Sequence, residues 1–153
     1  MIRLLVIEDN NNKLHQIKNF LYKEFHGIEI HDAISYTGGL RRIYEEKWDL
    51  ILLDMTLPVY DVGVQDNGGD KKPTAGKEIM QRMHNRKVII PTIIITQFDT
   101  FGENEVSIDD LNMYFNEQLS SIWKGTVNYE ASVNRWQDDL KAAIYDVLEG
   151  KDD

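Results

Sequence analysis

At 153 residues, 42% hydrophobic and without cysteine, the chain has material for one compact core and none for disulfides, thiolate zinc sites or cysteine nucleophiles. A formal net charge of -9 disfavours nonspecific binding to nucleic acid, which depends on lysine and arginine neutralising phosphates. No apolar run approaches the roughly 18 residues of a membrane span, and "MIRLLVIEDN" passes from apolar to acidic without a cleavable hydrophobic segment, which predicts no signal peptide and a cytoplasmic location.

The first apolar run, "IRLLVIE", predicts a strand that ends in Glu8 and Asp9. A helix follows over 12–25, because Leu14, Ile17, Leu21 and Phe25 share one stripe at spacings of three and four. "IEIHDAI" predicts the second strand and 37–47 the second helix, with Gly38 and Gly39 marking a turn or a weak helix start. "LILLD" predicts a third strand, buried on both faces and stopping on Asp54. A polar connection over 59–74, longer than most in compact domains, leads to a helix whose apolar side includes Ile79, Met80 and Met83. "IIPTIIIT" predicts a fourth strand ending near Thr96, and "SIDDLNMYFNEQL" a fourth helix opened by a capping box of Ser107 and Asp110. The fifth strand is placed in "GTVNY", 125–129. The last helix starts near Ser132, carries Val133, Trp136, Leu140, Ile144 and Val147 on one face, and ends before Gly150.

Strands alternating with helices predict a parallel sheet with helical crossovers, a doubly wound α/β fold forming one domain over 1–150 with a short tail at 151–153. In such a sheet ligands bind outside the carboxyl ends of the strands. Glu8, Asp9, Asp54 and Thr96 all stand there, and converge if the first, third and fourth strands are neighbours. Three carboxylates in one crevice repel, which raises at least one pKa unless a cation sits among them. A hard, oxygen-seeking ion such as Mg2+ suits the set, and Asp54 is then placed to attack phosphorus as a nucleophile.

The acidic pair after the first strand, Asp54 with Pro58 four positions on, and Thr96 ending the fourth strand resemble the receiver domain of bacterial response regulators. The resemblance covers about 2–148. It implies a flavodoxin-like sheet of order 2-1-3-4-5 with helices on both faces. It further implies Asp54 as phosphoacceptor, Mg2+ held by Glu8, Asp9, Asp54 and the backbone carbonyl of Thr56, and Thr96 as the switch hydroxyl. The phosphoryl donor would be a histidine kinase or phosphotransfer protein, and the output contacts with a downstream protein rather than nucleic acid or membrane. Any catalysis would be self-phosphorylation and autodephosphorylation at Asp54, with no separate metabolite. Nothing beyond "GKDD" follows the last helix, which predicts a stand-alone receiver.

Two features depart from the family pattern. The family ends its fifth strand with lysine and proline, and that lysine pairs with the phosphoryl group; here the segment reads "WKGTVNYEAS". With "GTVNY" as the strand, Lys124 lies at the wrong end; taking "SIWK" as the strand makes Lys124 the missing lysine, but leaves no connection after the fourth helix. The second departure is the 59–74 insert, read as a flap beside the site; the spacing of Asp61, Asp66 and Asp70 does not match a calcium loop. These departures keep open a pseudo-receiver that binds partners without phosphorylation. A phosphohydrolase acting through Asp54 is disfavoured, because Thr56 stands where such enzymes carry a second acid. Trp136 is read as packing, Trp123 with Tyr114 and Phe115 as an exposed aromatic patch, and the histidines at 15, 26, 31 and 84 as surface or helix residues without ligand spacing.

Overall fold

The computed structural model describes residues 1–61 and 70–150. In chain order the elements are β1 (Ile2–Ile7), α1 (Asn11–Glu24), β2 (Ile28–Ala33), α2 (Tyr36–Glu45), β3 (Leu50–Leu53), β4 (Leu57–Pro58), β5 (Lys71–Lys72), α3 (Ala75–Asn85), β6 (Thr92–Thr96), β7 (Thr100–Phe101), β8 (Val106–Ser107), α4 (Ile108–Gln118), β9 (Trp123–Asn128) and α5 (Arg135–Gly150). Five strands form one parallel sheet in the order β2-β1-β3-β6-β9, the expected 2-1-3-4-5 arrangement.

The continuous apolar runs are explained by burial on both sides. Side chains alternate faces along a strand. Leu4, Val6, Leu50, Leu52, Ile93 and Ile95 therefore pack with α1 and α5, against Ile17, Leu21, Trp136, Leu140 and Ile144. Leu5, Ile7, Ile51, Leu53 and Ile94 pack on the opposite face with Ile43 of α2, Ile79, Met80 and Met83 of α3, and Phe115 of α4. Burying each such Leu or Ile side chain contributes roughly 1.5–3 kcal/mol.

The helices start where their caps lie. Asn10 caps α1 by accepting from the Lys13 amide, Ser35 caps α2 by accepting from Gly38 N, and Ser107 caps α4 by accepting from Asp110 N at 3.1 Å. Gly38 and Gly39 fall in the first turns of α2 rather than in a free turn. Ser107→Ala is expected to destabilise the protein by about 1 kcal/mol, the usual worth of such a cap, measured as a lower midpoint in urea at unchanged slope.

Several expectations need correction. The fifth strand of the sheet, β9, begins at Trp123 instead of Gly125, and its register against β6 jumps from Thr92↔Trp123 to Ile93↔Gly125. Lys124 is the extra residue of this bulge, and Gly125 follows at φ 149°, a conformation that L side chains rarely adopt. α5 begins at Arg135, not near Ser132, and includes Gly150, so Val133 stands exposed before the helix rather than on its apolar face. Phe115 is fully buried, and Tyr114 and Trp123 pack partly buried beside it at ring distances of 6.1 and 5.9 Å, so they form no exposed patch. Trp136 is buried as expected, edge-on to Phe20 at 5.5 Å. His15, His26 and His84 are exposed, while His31 lies half-buried on β2 against Trp48.

Two short hairpins were not anticipated. β4 pairs antiparallel with β5, drawing together the two ends of the 59–74 insert, and β7 pairs with β8 before α4. Of the three aspartates considered for calcium, Asp66 lies outside the described residues. Asp61 accepts a hydrogen bond from Ser35 Oγ at 2.5 Å, so the described start of the insert is tied to the cap of α2.

Candidate functional site

Strand alternation decides which residues share the crevice. Glu8 follows Ile7 and Asp54 follows Leu53, so both turn toward the α1 side of the sheet at its carboxyl end. Backbone bonds from Glu8 N to Ala33 O and from Asp54 N to Ile7 O, at 2.9 and 3.0 Å, fix these two residues against neighbouring strands. Asp9 joins them: one oxygen from each of Glu8, Asp9 and Asp54 lies within 4.8 Å of the other two.

Glu8 is 1% and Asp54 8% exposed, so both carboxyls are almost stripped of water. Burial pushes Glu8 up to about 8, with the Asp54 charge adding to the rise and Lys13 opposing it. Burial also raises Asp54, against lowering contributions from Lys13, Glu8 and the Met55 amide that donates to Oδ1 at 2.8 Å.

Two lysines answer this charge. Lys13 of α1, 2% exposed, places Nζ 2.8 Å from Glu8 Oε2 and 3.4 Å from Asp54 Oδ1, and donates to the carbonyl of Ile95 at 2.9 Å. Its backbone is held as well: Glu8 Oε1 accepts from Asn10 N, and Asn10 Oδ1 accepts from Lys13 N, both at 3.0 Å, closing a circuit from Glu8 through the cap of α1 and back. Lys71 of β5 reaches Asp9 Oδ2 at 3.1 Å from an exposed position, a contact of small energetic weight.

The donor set fits a hard divalent cation. It consists of carboxylate oxygens, and buried Glu8 Oε2, although beside Lys13, has no well-angled hydrogen bond. The backbone carbonyl of Thr56 belongs to the loop leaving β3, two residues beyond Asp54.

No family model matches the chain. It is 31% identical over 144 residues to the Detocs response regulatory protein DtcB of Enterobacter cloacae (strain JD6301), across 91% of this chain and 95% of that one. The chain belongs to the response regulator receiver family. Among solved structures, a response regulator receiver domain protein from Clostridium thermocellum superposes with a TM-score of 0.66 at 22% identity, covering 99% of this chain and 98% of that one. The response regulator TrrA of Thermotoga maritima, solved in complex with Mg(2+)-BeF, superposes with a TM-score of 0.59 at 20% identity over 94% and 99% of the two chains. At these identities the two structures show a shared fold.

In this receiver Thr96 ends β6, next to β3 in the sheet, in register with Asn128 of β9. Its Oγ1 accepts a long bond from Phe98 N at 3.4 Å, and it borders a cavity of about 160 Å3 lined also by Ile108, Asn112 and Thr126. Thr126 donates to Asn112 Oδ1 at 2.6 Å, tying β9 to α4 beside that cavity. Lys124 is removed from the site by geometry: it lies at the amino end of β9, where its Nζ donates to Ser120 O at 3.0 Å. The carboxyl end of that strand presents Asn128 and then Tyr129, whose ring packs on Trp136 at 5.0 Å and lies 5.6 Å below Lys13 Nζ.

Lys13 and Lys71 were not anticipated from the sequence. Lys13 carried a legible signal, since it stands four residues before Ile17 on the buried stripe of α1, beside the position assigned to Leu14. Lys71 carried none, because its approach to Asp9 depends on a two-residue hairpin.

The raised Glu8 pKa has a consequence for stability. Between the ordinary value of 4.5 and about 8, folded Glu8 binds a proton that the unfolded chain does not. Stability contributed by that proton is full below the lower value and is lost as pH rises through the upper one. In EDTA the wild type should therefore lose stability relative to Glu8→Gln between pH 5 and 8.5 in thermal melts. An unchanged difference would contradict the protonated state of Glu8.

Proposed function

We propose that this receiver accepts a phosphoryl group on Asp54 from a histidine kinase or phosphotransfer protein and signals through protein contacts in the cytoplasm. The observation that carries this reading is the placement of Asp54 at the end of β3 with its carboxylate among those of Glu8 and Asp9. Glu8, Asp9, Asp54 and the Thr56 carbonyl would hold Mg2+, which when bound offsets the charge of an incoming phosphoryl group. TrrA, in complex with Mg(2+)-BeF, supports the same use of the crevice here.

In the transfer an Asp54 carboxylate oxygen forms a bond to phosphorus, while the bond from phosphorus to the donor's nitrogen or acyl oxygen breaks. The electron pair leaves with the donor, and the product is an acyl phosphate on Asp54. Thr96 is the hydroxyl beside the new group, and Thr126 with Asn112 connects its surroundings to α4. At the far end of the insert, Lys71 of β5 borders the site through its contact with Asp9.

Intact-protein mass spectrometry after incubation with acetyl phosphate and Mg2+ tests the reading. One added phosphoryl group, absent when EDTA replaces Mg2+, is the expected result. A second reading, a pseudo-receiver that works unphosphorylated, is favoured by one observation: Lys13 already supplies a cation to Glu8 and Asp54. Absence of any phosphoryl gain, under conditions that label an ordinary receiver, would select it.

A further inference from the structure

Lys13 is placed at some cost. Taking an ammonium out of water carries a penalty of several kcal/mol, and the first turn of a helix, where the backbone dipole is positive, is an unfavourable place for a cation. α1 has no acidic residue in that turn to compensate. Among the described residues Lys13 is the only lysine or arginine in the buried class.

A counter-ion for Glu8 alone needs one contact, whereas Lys13 is held by several. Its ammonium sits between Glu8 and Asp54, donates to the carbonyl of Ile95 directly before Thr96, and lies over the ring of Tyr129. The end of β9 offers no charge of its own there, since Asn128 and Tyr129 follow one another and Lys124 is at the far end of the strand. A phosphoryl group on Asp54 would bring about two negative charges into this pocket, with Lys13 as the buried cation beside the acceptor oxygen.

We propose that Lys13 is the residue whose ammonium contacts the phosphoryl group on Asp54, a cation delivered by the first turn of α1 in place of one at the end of the fifth sheet strand. The inference rests on the phosphoacceptor reading and adds a residue to it. In the unphosphorylated protein the ammonium lies between Glu8 Oε2 and Asp54 Oδ1, and the flexible four-carbon stem lets it turn toward the new oxygens. Lys13 makes and breaks no covalent bond and acts by offsetting charge. Its bond to the carbonyl of Ile95 also makes its position sensitive to the end of β6, where Thr96 stands.

Three proteins test this: the wild type, Lys13→Met, and Lys13→Met combined with Tyr129→Lys, which returns an ammonium to the same pocket from β9. Thermal melts establish that each is folded, calorimetric titration with Mg2+ alone reads the carboxylate site, and mass spectrometry follows phosphoryl gain from acetyl phosphate. Lys13→Met should bind Mg2+ at least as tightly as wild type, because a competing cation on Glu8 is gone. It should gain phosphoryl on the order of 10- to 100-fold more slowly, the range of a charge-assisted hydrogen bond, and the double variant should recover most of that loss. If Lys13→Met does not fold, the double variant carries the comparison, and a rate within a few-fold of wild type is expected. Labelling of Lys13→Met at the wild-type rate, or a folded, Mg2+-binding double variant no faster than the single one, would overturn the role of Lys13 and leave the phosphoacceptor reading standing. A wild type that takes no label would overturn both.

Discussion

Asp54→Asn should take up no phosphoryl group from acetyl phosphate and Mg2+, a complete loss against wild type in the same mass-spectrometric assay. The amide is close in shape and its oxygen can still accept the Met55 N–H that now meets Oδ1, so the crevice should keep its form. What disappears is the anionic nucleophile. A second change separates this variant from a misfolded one. The charge of Asp54 is, after burial, the next cause holding Glu8 near 8, so the variant should bring Glu8 down and narrow the pH window over which the metal-free protein loses stability. Phosphoryl gain by a folded Asp54→Asn would mean that another group is the acceptor.

Gly76→Val should be strongly destabilising although it replaces no candidate site residue. Gly76 is the second residue of α3 and donates its N–H to the carbonyl of Met55 at 2.9 Å, so the helix begins hard against the segment leaving β3. A Cβ added there would lie 2.8 Å from the Asp54 carbonyl oxygen and 3.2 Å from the Met55 Cα. Both are backbone atoms and cannot rotate away. Overpacking of this kind costs typically 1–3 kcal/mol and on occasion more, and a branched side chain against backbone belongs at the top of that range. We expect a loss of about 3 kcal/mol in denaturant unfolding, together with weaker Mg2+ binding, since the relief comes from moving the turn that carries Asp54 and Thr56. An unaffected midpoint would show that α3 can tilt freely from the site.

The sheet was readable because its central strands are buried on both faces. Runs such as Leu50 to Leu53 have no reason to be continuously apolar otherwise, and the carboxylates that interrupt them mark the strand ends. The cap of α4 was readable for a local reason, a side chain and an amide three residues apart. Errors arose where the structure depends on contacts distant in sequence. The bulge at Lys124 and the positive φ of Gly125 are set by pairing with β6, whereas the sequence alone starts the strand at the glycine. Two-residue strands such as β4 and β5 are too short to have a period. Lys13 escaped because a lysine near a helix start ordinarily faces solvent. Only the arrival of β1 and β3 beside α1 turns that position into the interior of the crevice. The departure at the end of the fifth sheet strand and the buried lysine on α1 are two views of one pocket, and the linear chain shows the first plainly and the second only as a spacing.

The proposed phosphorylation is a covalent bond at one oxygen of Asp54, and chemical trapping addresses that bond directly. Borohydride reduces an acyl phosphate on aspartate to homoserine, leaving a permanent mark on the residue that carried the group. Wild-type protein labelled with acetyl phosphate and Mg2+, reduced and digested, should yield a peptide with homoserine at position 54, and the mark should vanish in EDTA. Homoserine at another aspartate, or none in protein that binds Mg2+, would rule out Asp54 as the phosphoacceptor.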